Sequence, residues 1–372
     1  MTLRAFQKID NAMANAVTDG VFPGAVLLWA NRNHVFYHKA FGVTDIRFGE
    51  PVTLDTVFDL ASLTKPLVTA LAVADLIASG QLSRKTCLKD ALPAACGTSK
   101  AEITIDMLLR HRSGLPAHRP YFKSLPAPVP GIAAGKCLRQ LVLEEPLEYE
   151  PGSKEIYSDL GFILLAWVVE HLSGVRLDTF VNDRIFAPLN IYDLFFNPLC
   201  SDLTRPEKDK SSLVFAATSR CPWRGKMMLG EVEDENAWAA GGIEGHAGLF
   251  GTAAGVHRLC CRILHALENE ETKVINSTVI RCFADTINGM GRPAGFDSPS
   301  EGNASSGRFF SKRSIGHLGF TGTSFWIDPD NGLITVLLTN RVHPSRENTD
   351  IRKFRPMIHD LIASAYKDNI QE

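Results

Sequence analysis

The amino-acid sequence predicts an α/β (α+β) fold: an antiparallel sheet flanked by N- and C-terminal helices, with a large, mainly helical insertion. Two hairpin patterns carry that expectation, one near each end of the chain. The third observation is the stretch between them, where helical patterns dominate.

Taken in order, residues 3–18 intersperse Arg4, Lys8 and Asp10 among apolar residues, as an amphipathic helix does. Gly20 leads into an apolar strand over residues 25–29. Asn31-Arg32-Asn33 then turns the chain into a second strand, residues 35–41. Near the other end, strands over 320–327 and 333–339 are joined by Asp328-Pro329-Asp330-Asn331-Gly332, in which Asn-Gly is a strong hairpin signal. A last helix covers residues 351–366. The insertion is placed at residues 86–225, leaving 1–85 and 226–372 to form the α/β sandwich domain. A site between the two parts is expected, a usual place for ligand pockets. Residues 298–306, rich in Ser, read as a surface loop.

Composition narrows the class. Hydrophobic residues are 45% and charged residues 22% of 372, ordinary for a globular chain with a buried core. A formal net charge of −2 gives no footprint for nucleic acid or an anionic membrane. No apolar run reaches the ~20 residues of a membrane span. Residues 1–19 lack the apolar core of a signal peptide, so a cytoplasmic location is expected. The cysteines Cys87, Cys96, Cys137, Cys200, Cys221, Cys260, Cys261 and Cys282 show no metal-ligand spacing. They are expected to be reduced, mostly buried thiols. No metal and no cofactor is expected.

The chemistry starts at Ser62-Leu63-Thr64-Lys65, which opens a helical run. Positions i and i+3 share a helix face, about 5–6 Å apart. A serine hydroxyl is a poor nucleophile until a neighbour takes its proton, and Lys65 is in reach. Pro66 has no N–H, which suits the start of a helix and leaves free backbone donors near Ser62. A capping serine followed by a solvated lysine gives the same tetrapeptide, so two further segments matter. Glu155-Ile156-Tyr157-Ser158-Asp159-Leu160-Gly161 precedes a stretch, 162–169, that is apolar nearly all round and reads as a buried helix. Ser158 or Asp159 would cap it. His317-Leu318-Gly319-Phe320-Thr321-Gly322 reads as the start of a strand, with glycines at bulges.

In this order the three segments resemble the serine β-lactamase and penicillin-binding protein superfamily. The tyrosine of the second segment is closest to the class C β-lactamase branch, with its Y-x-N motif. That branch includes D-alanyl-D-alanine carboxypeptidases, D-aminopeptidases and β-lactamase-fold esterases. Further resemblance lies in Gly24-Ala25-Val26, in Leu108-Leu109-Arg110-His111-Arg112-Ser113-Gly114-Leu115-Pro116 and in Gly248-Leu249-Phe250-Gly251-Thr252. It implies a β-lactamase/transpeptidase-like fold, with Ser62, Lys65 and Tyr157 as catalytic residues. The backbone N–H groups of Ser62 and Phe320 would hold the oxyanion, and His317, Leu318 and Gly319 would meet the substrate. Two motifs depart from the family pattern. Asp159 stands where Asn is usual, and His317-Leu318 replaces the usual Lys and hydroxyl residue. Leu318 cannot donate a hydrogen bond to a substrate carboxylate, which disfavours efficient β-lactam turnover.

The expected reaction is acyl transfer through a covalent acyl-enzyme on a small-molecule ester, amide, D-amino-acid peptide or lactam. Lys65 and Tyr157 share the proton work, and either can be written as the base. Asp159 either caps its helix or enters the site, where it would keep Lys65 charged and leave Tyr157 as the acceptor. His317 is expected to titrate near neutrality and to face an anionic leaving group. His246, between glycines, reaches the cleft or packs beneath it. Glu233-Asp234-Glu235-Asn236 reads first as a solvated loop, with cleft contact as the second reading. Trp223 and Trp238 either line an acyl pocket or pack in the core. Competing functions are an acyltransferase with the same nucleophile and a penicillin-recognising protein with little turnover. A metal-dependent hydrolase has no H-E-x-x-H to support it.

Overall fold

The computed structural model describes residues 3–125, 130–199, 212–268, 270, 272–286, 291–300, 302 and 304–370. Its main sheet has five antiparallel strands in the order β2-β1-β10-β9-β8. These are β1 (Gly24–Asn31), β2 (Val35–Gly42), β8 (Ile315–Leu318), β9 (Ser324–Asp328) and β10 (Leu333–Thr339). Between β2 and β8 lie β3 (Phe58–Asp59), β4 (Leu194–Phe196), β5 (Arg220–Cys221), β6 (Lys226–Met227) and β7 (Leu249–Gly251). The helices are α1 (Leu3–Thr18), α2 (Leu71–Ala78), α3 (Leu88–Ala91), α4 (Ile105–Leu109), α5 (Ile132–Glu144) and α6 (Asp159–Ser173). They continue with α7 (Leu177–Val181), α8 (Glu235–Ala239), α9 (Ala253–Leu267), α10 (Ser277–Ala284) and α11 (Ile351–Ile370).

The continuous apolar run of β1 follows from its place near the middle of a sheet covered on both faces. Ala25, Leu27 and Trp29 pack with Ile9 and Met13 of α1 and Ile358 of α11. Val26, Leu28 and Ala30 point the other way, into the larger core. Strand β10 splits in the same manner, with Leu333 and Leu337 on one face and Ile334, Val336 and Leu338 on the other. Alternation of side chains along each strand makes this division.

Residues 86–225 hold α3 to α7 together with β4 and β5. The larger core is continuous through this stretch: Leu88, Leu138 and Phe162 belong to the same buried cluster as Val26 and Val336. Strand β7 joins the parts locally, pairing with β3 on one side and β4 on the other. The stretch Ala61–Ala78 is apolar enough in length and composition to cross a membrane, yet 78% of it is buried inside the protein. It is the core helix that carries Lys65.

Several expectations need correction. The third segment does not start a strand: His317 and Leu318 end β8, and residues 319–323 form the turn into β9. Adding a Cβ at Gly319 would bring it 2.0 Å from Thr323 Oγ1 and 2.8 Å from Leu60 O, so a close approach and not a bulge explains this glycine. The cysteines are not mostly buried. Cys221 and Cys260 are, but Cys96, Cys137 and Cys282 are exposed. Cys200, and residues 301 and 303 of the expected surface loop, lie outside the described residues.

Candidate active site

Ser62 sits in a tight 3₁₀ turn, Ala61–Leu63, that runs directly into a π-helical turn, Lys65–Ala70, and then into α2. The approach is held on several sides. Ala61 has a positive φ of 47°, an uncommon conformation for a residue with a side chain. Its N–H donates to Asp59 Oδ1 at 2.8 Å, and its carbonyl accepts Thr64 Oγ1 at 2.6 Å. The β8–β9 turn adds two bonds: Thr321 Oγ1 to Asp59 O at 2.8 Å and Thr323 Oγ1 to Leu60 O at 3.2 Å. The nucleophile segment and the third motif are therefore fixed to each other.

Lys65 is fully buried, and its ammonium donates three hydrogen bonds. The acceptors are Ser62 Oγ at 3.1 Å, Asp159 Oδ1 at 2.7 Å and His246 O at 3.1 Å. Burial opposes the charge, but Asp159 and Tyr157 outweigh it and hold the lysine above its ordinary range. Nζ also lies 4.9 Å from the centre of the Tyr157 ring. Burial pushes the Tyr157 phenol up and Asp159 adds to this, while Lys65 opposes. The resting state is an ammonium, a carboxylate and a neutral phenol.

Asp159 enters the site. Ser158 occupies the N-cap position of α6, but its hydroxyl donates to Pro116 O and caps nothing. The Asp159 carboxylate lies between Lys65 and His118, whose Nδ1 is 3.3 Å from Oδ2. Burial alone would raise this carboxyl; Lys65 and His118 hold it well below the usual carboxylate range. Positions 65 and 159 therefore form one ion pair across the cleft, its lysine fully buried and its carboxylate partly so.

His317 is 2% exposed and does not titrate near neutrality. Burial pushes it down to about 4 despite Asp297. Nδ1 lies 2.8 Å from Leu318 O, a contact that only an N–H can make favourably, which leaves Nε2 as an acceptor. A neutral imidazole cannot supply the expected positive edge. Leu318 and Gly319 line the cavity with Phe320, whose side chain is half exposed.

His246 is buried at the cavity wall, with Nε2 2.9 Å from Asp234 Oδ1. Asp234 also caps α8 by accepting the Ala237 N–H, and His246 outweighs burial to bring its carboxyl down to about 2. The segment 233–236 is thus no solvated loop. Glu233 is buried and paired with Arg346, which also reaches Glu235. Trp238 is not a cleft residue. It packs edge-on to Trp223 in a satellite core and donates Nε1–H to Glu231.

Besides His118, two contributors escaped the sequence reading. His111, with φ of 57°, accepts the Ser158 N–H through Nδ1 at 2.9 Å and lies 4.5 Å from the Tyr157 ring. It orients the second motif. Arg292 lies 5.3 Å from the Tyr157 ring centre, held by Glu155 and Asp297. The signal for His111 was its place in the 108–116 segment; for Arg292 there was none. Ser62, Tyr157, Asp159 and the third motif open onto one cavity of about 580 Å³. His118, Asp159 and Asp234 also place three possible metal-ligand atoms within 4.8 Å of one another. Lys65 and His246 already hold two of these carboxylates, so a cation would have to compete with them.

Comparison with known proteins bears on the family and the fold. The sequence profile of the family described as Beta-lactamase matches residues 9–355. A protein of Escherichia coli (strain K12) named "Putative D-alanyl-D-alanine carboxypeptidase" is 30% identical over 360 residues, covering 90% of this chain and 82% of its own. Among solved structures, "EstCE1, a hydrolase with promiscuous acyltransferase activity" superposes with a TM-score of 0.73 at 20% identity, covering 96% of this chain and 98% of that one. Simvastatin synthase (LovD) from Aspergillus terreus gives 0.74 at 19%, covering 98% and 99%. At these identities the two structures speak to the fold, which is the β-lactamase/transpeptidase fold.

Proposed function

The chain belongs to the beta-lactamase family of serine hydrolases, and from that premise we propose that Ser62 forms a covalent acyl-enzyme during hydrolysis of a small ester, amide or D-amino-acid peptide. The observation that carries this is the 3.1 Å hydrogen bond from Lys65 Nζ to Ser62 Oγ at the entrance of a buried helix.

In this reading Ser62 Oγ attacks the carbonyl carbon while its proton passes to Tyr157 in its minor phenolate form. Lys65, kept charged by Asp159, lowers the cost of that phenolate and stays a donor toward Oγ. The carbonyl oxygen becomes negative and is held by the backbone N–H groups of Ser62 and Phe320. Each such donor contributes about 3–4 kcal/mol to the transition state. Collapse expels the leaving group, which takes the proton from Tyr157. Water then attacks the acyl carbon by the same route and frees Ser62. Leu318 offers no hydroxyl to a substrate carboxylate, so β-lactams should be poor substrates beside simple esters.

The test is a panel of p-nitrophenyl esters, nitrocefin and D-amino-acid amides, run beside Ser62→Ala. Turnover with a single acyl adduct on the Ser62 peptide supports the reading. An adduct elsewhere, or full activity in Ser62→Ala, overturns it. A second reading, acyl transfer to an alcohol or amine, is favoured by the described activity of the EstCE1 neighbour. Product analysis with an added acceptor separates the two.

A further inference from the structure

The cavity that holds Ser62 is also lined by Arg341, Arg352 and Arg355, beside the β8–β9 turn. Arg355, on α11, is 5% exposed. Its Nη2 makes one long bond, 3.3 Å to Thr323 O, and its Nε has no partner. Arg341 is 8% exposed and spends its donors on backbone carbonyls of Phe320, Arg346 and Asn348. Arg352 lies one turn before Arg355 on α11, exposed at the cavity edge. Among the described residues none of these three forms an ion pair. The neighbouring arginines behave differently: Arg346 is matched by Glu233 and Glu235, and Arg292 by Glu155 and Asp297.

A carbonyl satisfies a guanidinium N–H but does not neutralise it. Guanidinium groups stay protonated in proteins, so the charge persists. Glu233, itself paired with Arg346, favours the Arg341 charge without pairing to it, and no carboxylate acts on Arg355; burying a charge without its own counter-ion is costly. Burial and the nearby Arg341 together bring Arg355 down to about 10. One carboxylate would offset one of the two buried cations and leave the other. A dianion with several acceptor oxygens offsets both and meets Arg352 at the edge.

We propose that Arg341, Arg352 and Arg355 form a subsite for a doubly charged tetrahedral oxyanion, a phosphate or sulfate group, beside the β8–β9 turn. The group is either carried by the substrate or bound as a free ion. Position alone ties it to the reaction: the subsite grips the turn that carries Phe320, through Arg341 and the Phe320 carbonyl.

The test titrates inorganic phosphate, and separately acetate, into the full chain by calorimetry at constant ionic strength. Saturable phosphate binding, with acetate about tenfold weaker or more, is expected. Arg355→Gln should weaken phosphate binding about tenfold or more. Arg352→Gln, an exposed position that does not threaten folding, should weaken it severalfold. Absence of saturable binding, equal binding of acetate, or affinity unchanged in both variants would overturn the proposal. The source of the group is read in a second arm. An ester with a phosphorylated leaving group is compared with its unphosphorylated parent by kcat/KM. A preference that Arg355→Gln removes assigns the group to the substrate; binding without preference assigns it to the free ion. Only this second arm rests on the proposed hydrolysis. Ser62→Ala should bind phosphate as the wild type does, so the two readings fail separately.

Discussion

The two sides of the active-site cavity handle charge in opposite ways. On the second-motif side each carboxylate has a partner: Asp159 has Lys65 and His118, and Asp234 has His246. On the third-motif side Arg341 and Arg355 are buried against neutral carbonyls. The first arrangement is complete without a ligand and fixes protonation states. The second is left to be completed by something that binds. A site can thus be pre-organised for chemistry and incomplete for recognition within one cavity.

The sharpest way to break the matched side is Lys65→Ala. It leaves the partly buried Asp159 carboxylate with His118 alone, and breaking a buried pair costs at most about 3–5 kcal/mol. Acylation should fall by roughly 10²–10⁴, the scale of a lost acid–base group. Tyr157→Phe should lose a similar factor with much less stability. The double variant should lose little more than either, because the groups act as one unit. Pre-steady-state acylation and thermal unfolding of all three proteins check this.

Asp59 extends the comparison to a carboxyl without a cation. It is buried behind the nucleophile and accepts two backbone N–H groups, from Ala61 at 2.8 Å and Glu233 at 2.6 Å. Burial pushes it up to about 7; the two N–H donors oppose this, while Glu233 and Asp234 add to it. Since the folded value lies above the ordinary one, the folded state holds the proton longer than the unfolded chain. Stability from this group is therefore full below the ordinary carboxyl range and declines as pH rises toward about 7. Asp159 has the opposite sign: its contribution is present above that range and is lost on acidification. Asp59→Asn should be less stable than wild type at pH 4, where its amide must face one N–H with another. It should gain on wild type by roughly a few kcal/mol between pH 4 and 7. Unfolding of both proteins across that range measures the difference. A constant difference would mean that Asp59 does not hold its proton.

Local patterns were the legible part of the fold. Helices at both ends and hairpins at Asn31-Arg32-Asn33 and Asn331-Gly332 depend on neighbours in sequence. Ser62, Lys65 and Tyr157 were legible because each sits in a short motif. The pairing of Lys65 with Asp159 spans 94 positions, and capping explained an Asp at that place equally well. The burial of Glu233 was hidden because its cation, Arg346, lies 113 residues away. His317 was misjudged for a related reason. Its charge depends on burial, which a four-residue strand does not display in its own sequence.

Asp159→Asn probes the matched side more gently. It removes the carboxylate that raises both Lys65 and Tyr157. Both groups should then release their protons at lower pH. If Tyr157 acts as its phenolate, ester acylation rises with pH until that group ionises. The rising limb should therefore move to lower pH in Asp159→Asn, with faster acylation at neutral pH. Profiles of kcat/KM against pH for one ester decide it. An unmoved limb would take Asp159 out of the proton balance.

The smallest expected effect is on the unmatched side, and it has the opposite sign to Lys65→Ala. Arg355→Met keeps the unbranched stem but removes a buried cation that has no counter-ion and faces Arg341. The hydrogen bond lost is the 3.3 Å contact with Thr323 O, a weak one. Desolvation and repulsion are both relieved, so the variant should be more stable by about 1 kcal/mol in a buffer without phosphate or sulfate. For a chain of this size that is a rise in Tm of about 2 °C. Phosphate should then narrow the gap, since it stabilises the wild type by mass action and has lost its site in the variant. Thermal unfolding of both proteins with and without phosphate, at constant ionic strength, reads both signs. If Arg355→Met were destabilised by several kcal/mol, like a broken ion pair, the guanidinium would be matched within the fold. The contrast between the two sides of the cavity would then fail.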